Sequence, residues 1–106
     1  MSDAVRRLYE AVMARRGLDP ATSRTAKLFA AGRSKLAQKV GEEAVEVAID
    51  AARNDRAAVI SESADLIYHL VVLWAEMGIA PRDIWTEMAR REKSQGIAEK
   101  RPKAAA

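Results

Sequence analysis

No cysteine occurs anywhere in the 106 residues, which excludes disulfides and every thiolate metal site. There is a single histidine, His69, so a bound metal would be held mainly by carboxylates, a donor set that suits hard cations. Aromatic residues make up 5% of the chain, and β-branched residues never alternate in runs; both argue against a sheet. The longest uncharged apolar stretch, residues 70–75, is too short to cross a membrane. The opening MSDAVRRLYEAVMARR is charged throughout and has no apolar signal region. A soluble, cytoplasmic protein with one small domain and one core is the expectation.

The charge that is present is unevenly distributed. The chain carries a net charge of +3, and a basic balance favours polyanionic partners without saying which. From Pro20 to Gly41 there is no acid, while Arg24, Lys27, Arg33, Lys35 and Lys39 all fall there. Glu42 and Glu43 follow at once. Beyond Gly41 the bases are interleaved with acids, and neither a recognition motif nor a cluster of stacking aromatics accompanies them. A nucleic-acid-binding role is therefore not expected.

The apolar periodicity reads as an all-α chain of four to five helices. Asp3 is placed to cap a first helix carrying Val5, Leu8, Tyr9, Val12 and Met13, which Gly17 ends. After the connector LDPATS, Thr22 or Ser23 caps a short helix that stops at Gly32. Two long helices follow, residues 34–54 (with Gly41 as a break in the pattern) and 56–77, separated only by Asn54-Asp55. So short a connection makes neighbouring helices antiparallel. Pro81 suits the first turn of a last helix through Ile84, Trp85 and Met88. The ordered domain is expected to span residues 1–97, with 98–106 as a flexible tail. Tyr68, Trp74 and Trp85 read as core or subunit-contact residues.

Placed on a helical wheel, the first long helix confines Lys35, Lys39, Glu42, Glu43, Glu46, Asp50 and Arg53 to a wedge of roughly 100°. The rest of its surface is apolar, so it is expected to be packed on more than one side. The second is more severe: Glu62, Asp65, His69 and Glu76 share one narrow line on an otherwise greasy helix. Folding the hairpin brings Glu46 and Glu62 to similar heights. Glu43 with Glu46, and Glu62 with Asp65, are i, i+3 pairs that each project from one face. Four facing carboxylates repel one another, so either some are protonated or cations sit between them. Mg²⁺ is the natural occupant of an all-oxygen site, with Mn²⁺ a possible substitute. Di-iron carboxylate bundles need Glu-x-x-His on two helices, a pattern this chain does not contain.

The spacing Glu-x-x-Glu, fifteen residues, Glu-x-x-Asp resembles the metal motif of the all-α nucleotide pyrophosphohydrolases. LAQKVGEEAVEVAIDAARND, ESADLIYHLVVLWAEMG and the upstream TAKLFAAGRSKLAQK together resemble the phosphoribosyl-ATP pyrophosphohydrolases, over roughly residues 5 to 92. The resemblance implies Mg²⁺-dependent hydrolysis of phosphoribosyl-ATP to phosphoribosyl-AMP and pyrophosphate, the second step of histidine biosynthesis. It implies Glu43, Glu46, Glu62 and Asp65 as metal-binding carboxylates, with Glu42 a possible addition. Two departures stand out. Arg24 occupies a place where the family often has an aromatic, and there is neither length nor cysteine for the cyclohydrolase domain to which many members are fused.

The residues and the resemblance suggest a division of labour. The acids hold metal, while Lys39, Lys35, Arg33 and Lys27 bind phosphate oxygens. Glu42 or Glu46 is left to take a proton from the attacking water, and His69 is a supporting residue that orients Asp65 or a neighbouring acid. Apolar surface on both long helices calls for a second copy of the chain, in a dimeric helical bundle with its sites near the subunit contact. The nearest rival substrates are dUTP, dCTP or damaged nucleotides. The rival from another class is a non-catalytic helical adaptor whose charged faces are merely solvated.

Overall fold

In the structure, a computed structural model that describes residues 3–95, five helices follow one another: α1 (Asp3–Arg15), α2 (Arg24–Ala31), α3 (Arg33–Ala52), α4 (Arg56–Glu76) and α5 (Pro81–Gln95). The described residues contain no strand. Local chemistry sets most boundaries. Ser23, not Thr22, caps α2, its hydroxyl accepting from the Ala26 amide at 3.1 Å. Gly32 ends α2 and opens α3 at φ 93°, a conformation that residues with a Cβ avoid. Asp55 caps α4 by accepting from the Ala58 amide at 3.1 Å. Asn54, at φ 57°, makes the turn before it left-handed, which asparagine tolerates. Pro81 begins α5 as expected.

Two details differ from the expectation. Helix α1 begins at Asp3 itself, and α3 runs through Gly41 without interruption. The expected flexible tail, 98–106, lies outside the described residues.

The antiparallel pair α3–α4 is the spine of the molecule. Helix α1 lies on α4, α2 bridges both spine helices, and α5 touches α1. The core forms where α1 and α2 cover the spine: Val12, Leu28, Leu36, Val71, Val72 and Ala75 are buried there, with Tyr68, Leu73 and Trp74 packed around them. Arg16 ties this end together. It donates to the Ala75 carbonyl at 3.0 Å, pairs with Glu76 at 3.6 Å and lies over the Phe29 ring at 4.9 Å. In this way it satisfies a carbonyl at the C-terminal end of α4.

Away from that core the spine is bare. Among the described residues, helix α3 buries only Leu36, so the packing on more than one side expected of it is not supplied by the other helices of this chain. Helix α4, taken whole with its charged residues, is long and apolar enough to cross a membrane by length and composition, although its longest uncharged run, 70–75, is short. Only 17% of that apolar window is buried. Its midpoint carries Glu62 and Asp65, however, and charge at the centre of a bilayer is costly. It is better read as a bundle helix that lacks cover.

A candidate metal-binding carboxylate site

The register of the spine is set by its own contacts. Glu46 and Glu62 face each other across the helix pair, close enough for their carboxyls to act on each other. One turn away, a carboxylate oxygen from each of Glu43, Glu62 and Asp65 lies within 4.8 Å of the others. These contacts bring Glu46 to Glu62, and Glu43 to both Glu62 and Asp65. Leu36 and Val72, further along the same helices, are both fully buried in the core cluster.

The electrostatic consequence is concentrated on Glu62. Its carboxyl is pushed up to about 7, first by the hydrogen bond with Glu46, then by desolvation, then by the charges of Glu46, Asp65 and Glu43. Crowded carboxylates repel one another, and a proton kept on Glu62 relieves that repulsion. A divalent cation would do the proton's work with twice the charge. The donor set is oxygen only and converges from two rigid helices, which fits a hard cation such as Mg²⁺ or Mn²⁺.

The other predicted residues fall into distinct places. Glu42 is exposed and takes a hydrogen bond from the Gln38 amide at 2.9 Å. That bond, with help from Lys39 and Lys35, holds its carboxyl below the usual range. Lys39 is half-buried, whereas Lys35 and Arg33 are exposed on the same helix. Lys27 sits on α2 with Arg24, beside a cavity of about 490 Å³ lined also by Pro20, Ala21, Thr22 and Ser23. His69 is 3% exposed. Its Nδ1 lies 2.8 Å from the main-chain oxygen of Asp65, so the bond goes to the backbone and not to the carboxylate.

This carboxylate geometry coincides with a known sequence family. The family model for phosphoribosyl-ATP pyrophosphohydrolase matches residues 5–92, which include every residue of the cluster. The chain belongs to the phosphoribosyl-ATP pyrophosphohydrolase family. It is 62% identical over 105 residues to phosphoribosyl-ATP pyrophosphatase 2 of Bradyrhizobium diazoefficiens, covering 99% of this chain and 78% of that protein. Phosphoribosyl-ATP pyrophosphatase of Azospirillum brasilense is 62% identical over 94 residues, 89% of this chain and 85% of the relative. The corresponding protein of Rhizorhabdus wittichii is 50% identical over 105 residues, with 97% and 99% covered.

Within this pyrophosphohydrolase fold, sequence reasoning missed two features. Gln38 is one turn from Glu42 on the same face, and i, i+4 spacing was the available signal for their bond. The hydrogen bond between Thr25 and Tyr68, 2.6 Å long and joining α2 to α4, had no signal in the sequence because 43 residues separate its partners.

Proposed function

We propose that this chain catalyses Mg²⁺-dependent hydrolysis of phosphoribosyl-ATP to phosphoribosyl-AMP and pyrophosphate, the second step of histidine biosynthesis, as a cytoplasmic homodimer. The observation that carries the reading is the convergence of Glu43, Glu62 and Asp65 oxygens within 4.8 Å, with Glu46 facing Glu62. Family membership supplies the substrate class.

Glu43, Glu46, Glu62 and Asp65 are the residues that hold the metal. A Mg²⁺ ion held by them would supply positive charge to offset the polyphosphate and to make water a better nucleophile. Lys39, one turn from Glu43 and half-buried, holds non-bridging phosphate oxygens, with Lys35, Arg33 and Lys27 as outlying cations. In the reaction, the water oxygen joins phosphorus as the anhydride P–O bond breaks, and pyrophosphate departs with the bridging oxygen and its electron pair. The water's proton needs an acceptor. Glu46 or Glu42 takes it; Glu46 lies against Glu62, and Glu42 is the weaker base because the Gln38 hydrogen bond already favours its ionised form.

The homodimer rests on what the chain leaves uncovered. Val45 and Ile49 on α3, with Ile60 and Ile67 on α4, are exposed large apolar residues on the same helix pair that carries the acids. Exposed large apolar side chains gathered on one helix pair are what a contact with a second copy would cover.

The decisive experiment measures pyrophosphate release from phosphoribosyl-ATP, dUTP, dCTP and ATP, with and without Mg²⁺, for the wild type and Glu62→Gln. Metal-dependent release from phosphoribosyl-ATP alone, lost in a variant with unchanged circular dichroism, is the expected result. Preference for another nucleotide would overturn the substrate. No release from any of them by a folded wild type would overturn the enzyme reading in favour of an adaptor.

A further inference from the structure

Beside the carboxylates lies a second polar arrangement, buried where the rest of the core is apolar. Thr25 is buried in α2, and its hydroxyl meets the Tyr68 hydroxyl at 2.6 Å. The next residue of α4, His69, sets its ring edge-on to Tyr68, the centroids 5.1 Å apart. A carbonyl oxygen only accepts, so His69 Nδ1 carries the hydrogen that bonds the Asp65 main chain. The other ring nitrogen, Nε2, is buried and without a hydrogen-bond partner among the described residues. An unpaired buried polar atom is destabilising, and a leucine in its place would remove the cost. Stability therefore does not explain this histidine.

We propose that Thr25, Tyr68 and His69 are positioning residues that hold the carboxylate helix and the basic helix α2 in one frame. His69 adds a second hydrogen bond to the Asp65 carbonyl, which an α-helix already uses for the residue four places on, and so restrains the main chain at Asp65. Tyr68 is three residues from Asp65, about 5 Å along the helix. Its bond to Thr25 docks the first turn of α2 there, and Thr25 is flanked by Arg24 and followed by Lys27. The inference rests on the functional reading above, in which Lys27 binds phosphate and Asp65 binds metal. Phosphoryl transfer depends on placing these groups together, and a misplacement of about 1 Å can cost about 10²-fold in rate.

The test uses the double variant Thr25→Val/Tyr68→Phe, which removes both hydroxyls together and leaves no orphaned polar atom. It is expected to melt near the wild type and to bind Mn²⁺, followed by electron paramagnetic resonance, with unchanged affinity. Its kcat is expected to fall about 10- to 100-fold, and adding Lys27→Ala should then cost much less than it does in the wild type. Full kcat in the double variant, or an undiminished Lys27→Ala effect, would overturn the strut. A second arm uses His69→Leu, expected to melt no lower than wild type while losing about 10- to 100-fold in Mn²⁺ affinity. His69→Asn, which keeps a donor near the Nδ1 position, should restore that affinity. Unchanged Mn²⁺ binding by His69→Leu, or rescue by His69→Gln and not by His69→Asn, would overturn the assignment to the Asp65 carbonyl. If the wild type released no pyrophosphate from phosphoribosyl-ATP, the functional reading would fall, with the strut's catalytic role. The Mn²⁺ arm would still judge His69 separately.

Discussion

The same two helices behave differently at their two ends. Where α1 and α2 cover the spine, Leu36, Val71 and Val72 are completely buried. Toward the Asn54-Asp55 turn, Val45, Ile49 and Ile60 are 57%, 50% and 60% exposed, although they are as apolar as the residues in the core. The carboxylates lie between these regions. The covered end stabilises the single chain through burial, while the bare end has apolar surface and repelling acids that one chain leaves unresolved. What distinguishes the two is cover from the same chain, present at one end and missing at the other; the proposed second copy and cation would supply it at the bare end.

The largest effect expected from this contrast is at the covered end. Leu36→Ala should lose about 2–5 kcal/mol in urea unfolding, the usual cost of a cavity in a packed core. Ile60→Ala, measured at concentrations low enough to hold the protein monomeric, should lose far less because its side chain is already in water. Equal losses at both positions would erase the distinction.

Next in size is the effect on assembly. Ile49→Glu should weaken self-association by about 10- to 100-fold, the range for a central interface residue, as read by analytical ultracentrifugation. An unchanged sedimentation profile would mean that the bare face is not a subunit contact.

The smallest effect is the pH dependence of the metal-free protein. Glu62 has a carboxyl raised from 4.5 to about 7, so between those values the folded state binds more protons than the unfolded state. This contribution is fully present below pH 4.5 and is lost as pH rises through about 7. Its part of the melting-temperature profile should therefore fall across that window and then level off. Glu62→Gln should remove this component, and Mg²⁺ should raise the melting temperature most at the upper end, where the acids are ionised. A metal-free profile identical in wild type and Glu62→Gln would show that the carboxylates do not repel as their geometry requires.

Much of this was legible before any coordinates. Ser23, Gly32, Asp55 and Pro81 mark helix ends because caps and breakers act on their immediate neighbours. The i, i+3 acid pairs were legible for the same reason, since helical periodicity carries both residues to one face. The bond from His69 to the Asp65 backbone was not, because either a carboxylate or a carbonyl lies within reach of a histidine one turn on. Nor was the exposure of α3. A wide apolar face signals that something covers a helix, but it does not say whether that cover comes from the same chain.

By itself, then, the sequence determined the helices, their antiparallel pairing and the residue types of the acidic site, all consequences of short-range periodicity, capping and a very short turn. The hairpin geometry already set Glu46 and Glu62 at similar heights; only the tertiary structure decided that Glu43, Glu62 and Asp65 converge within 4.8 Å. It also decided that His69 keeps a buried nitrogen without a partner among the described residues and that Tyr68 finds Thr25. Those outcomes depend on how far α3 and α4 slide past each other. Packing in the buried cluster that contains Leu36 and Val72 sets that register, and a slide of one turn would separate the acids that face each other across the two helices.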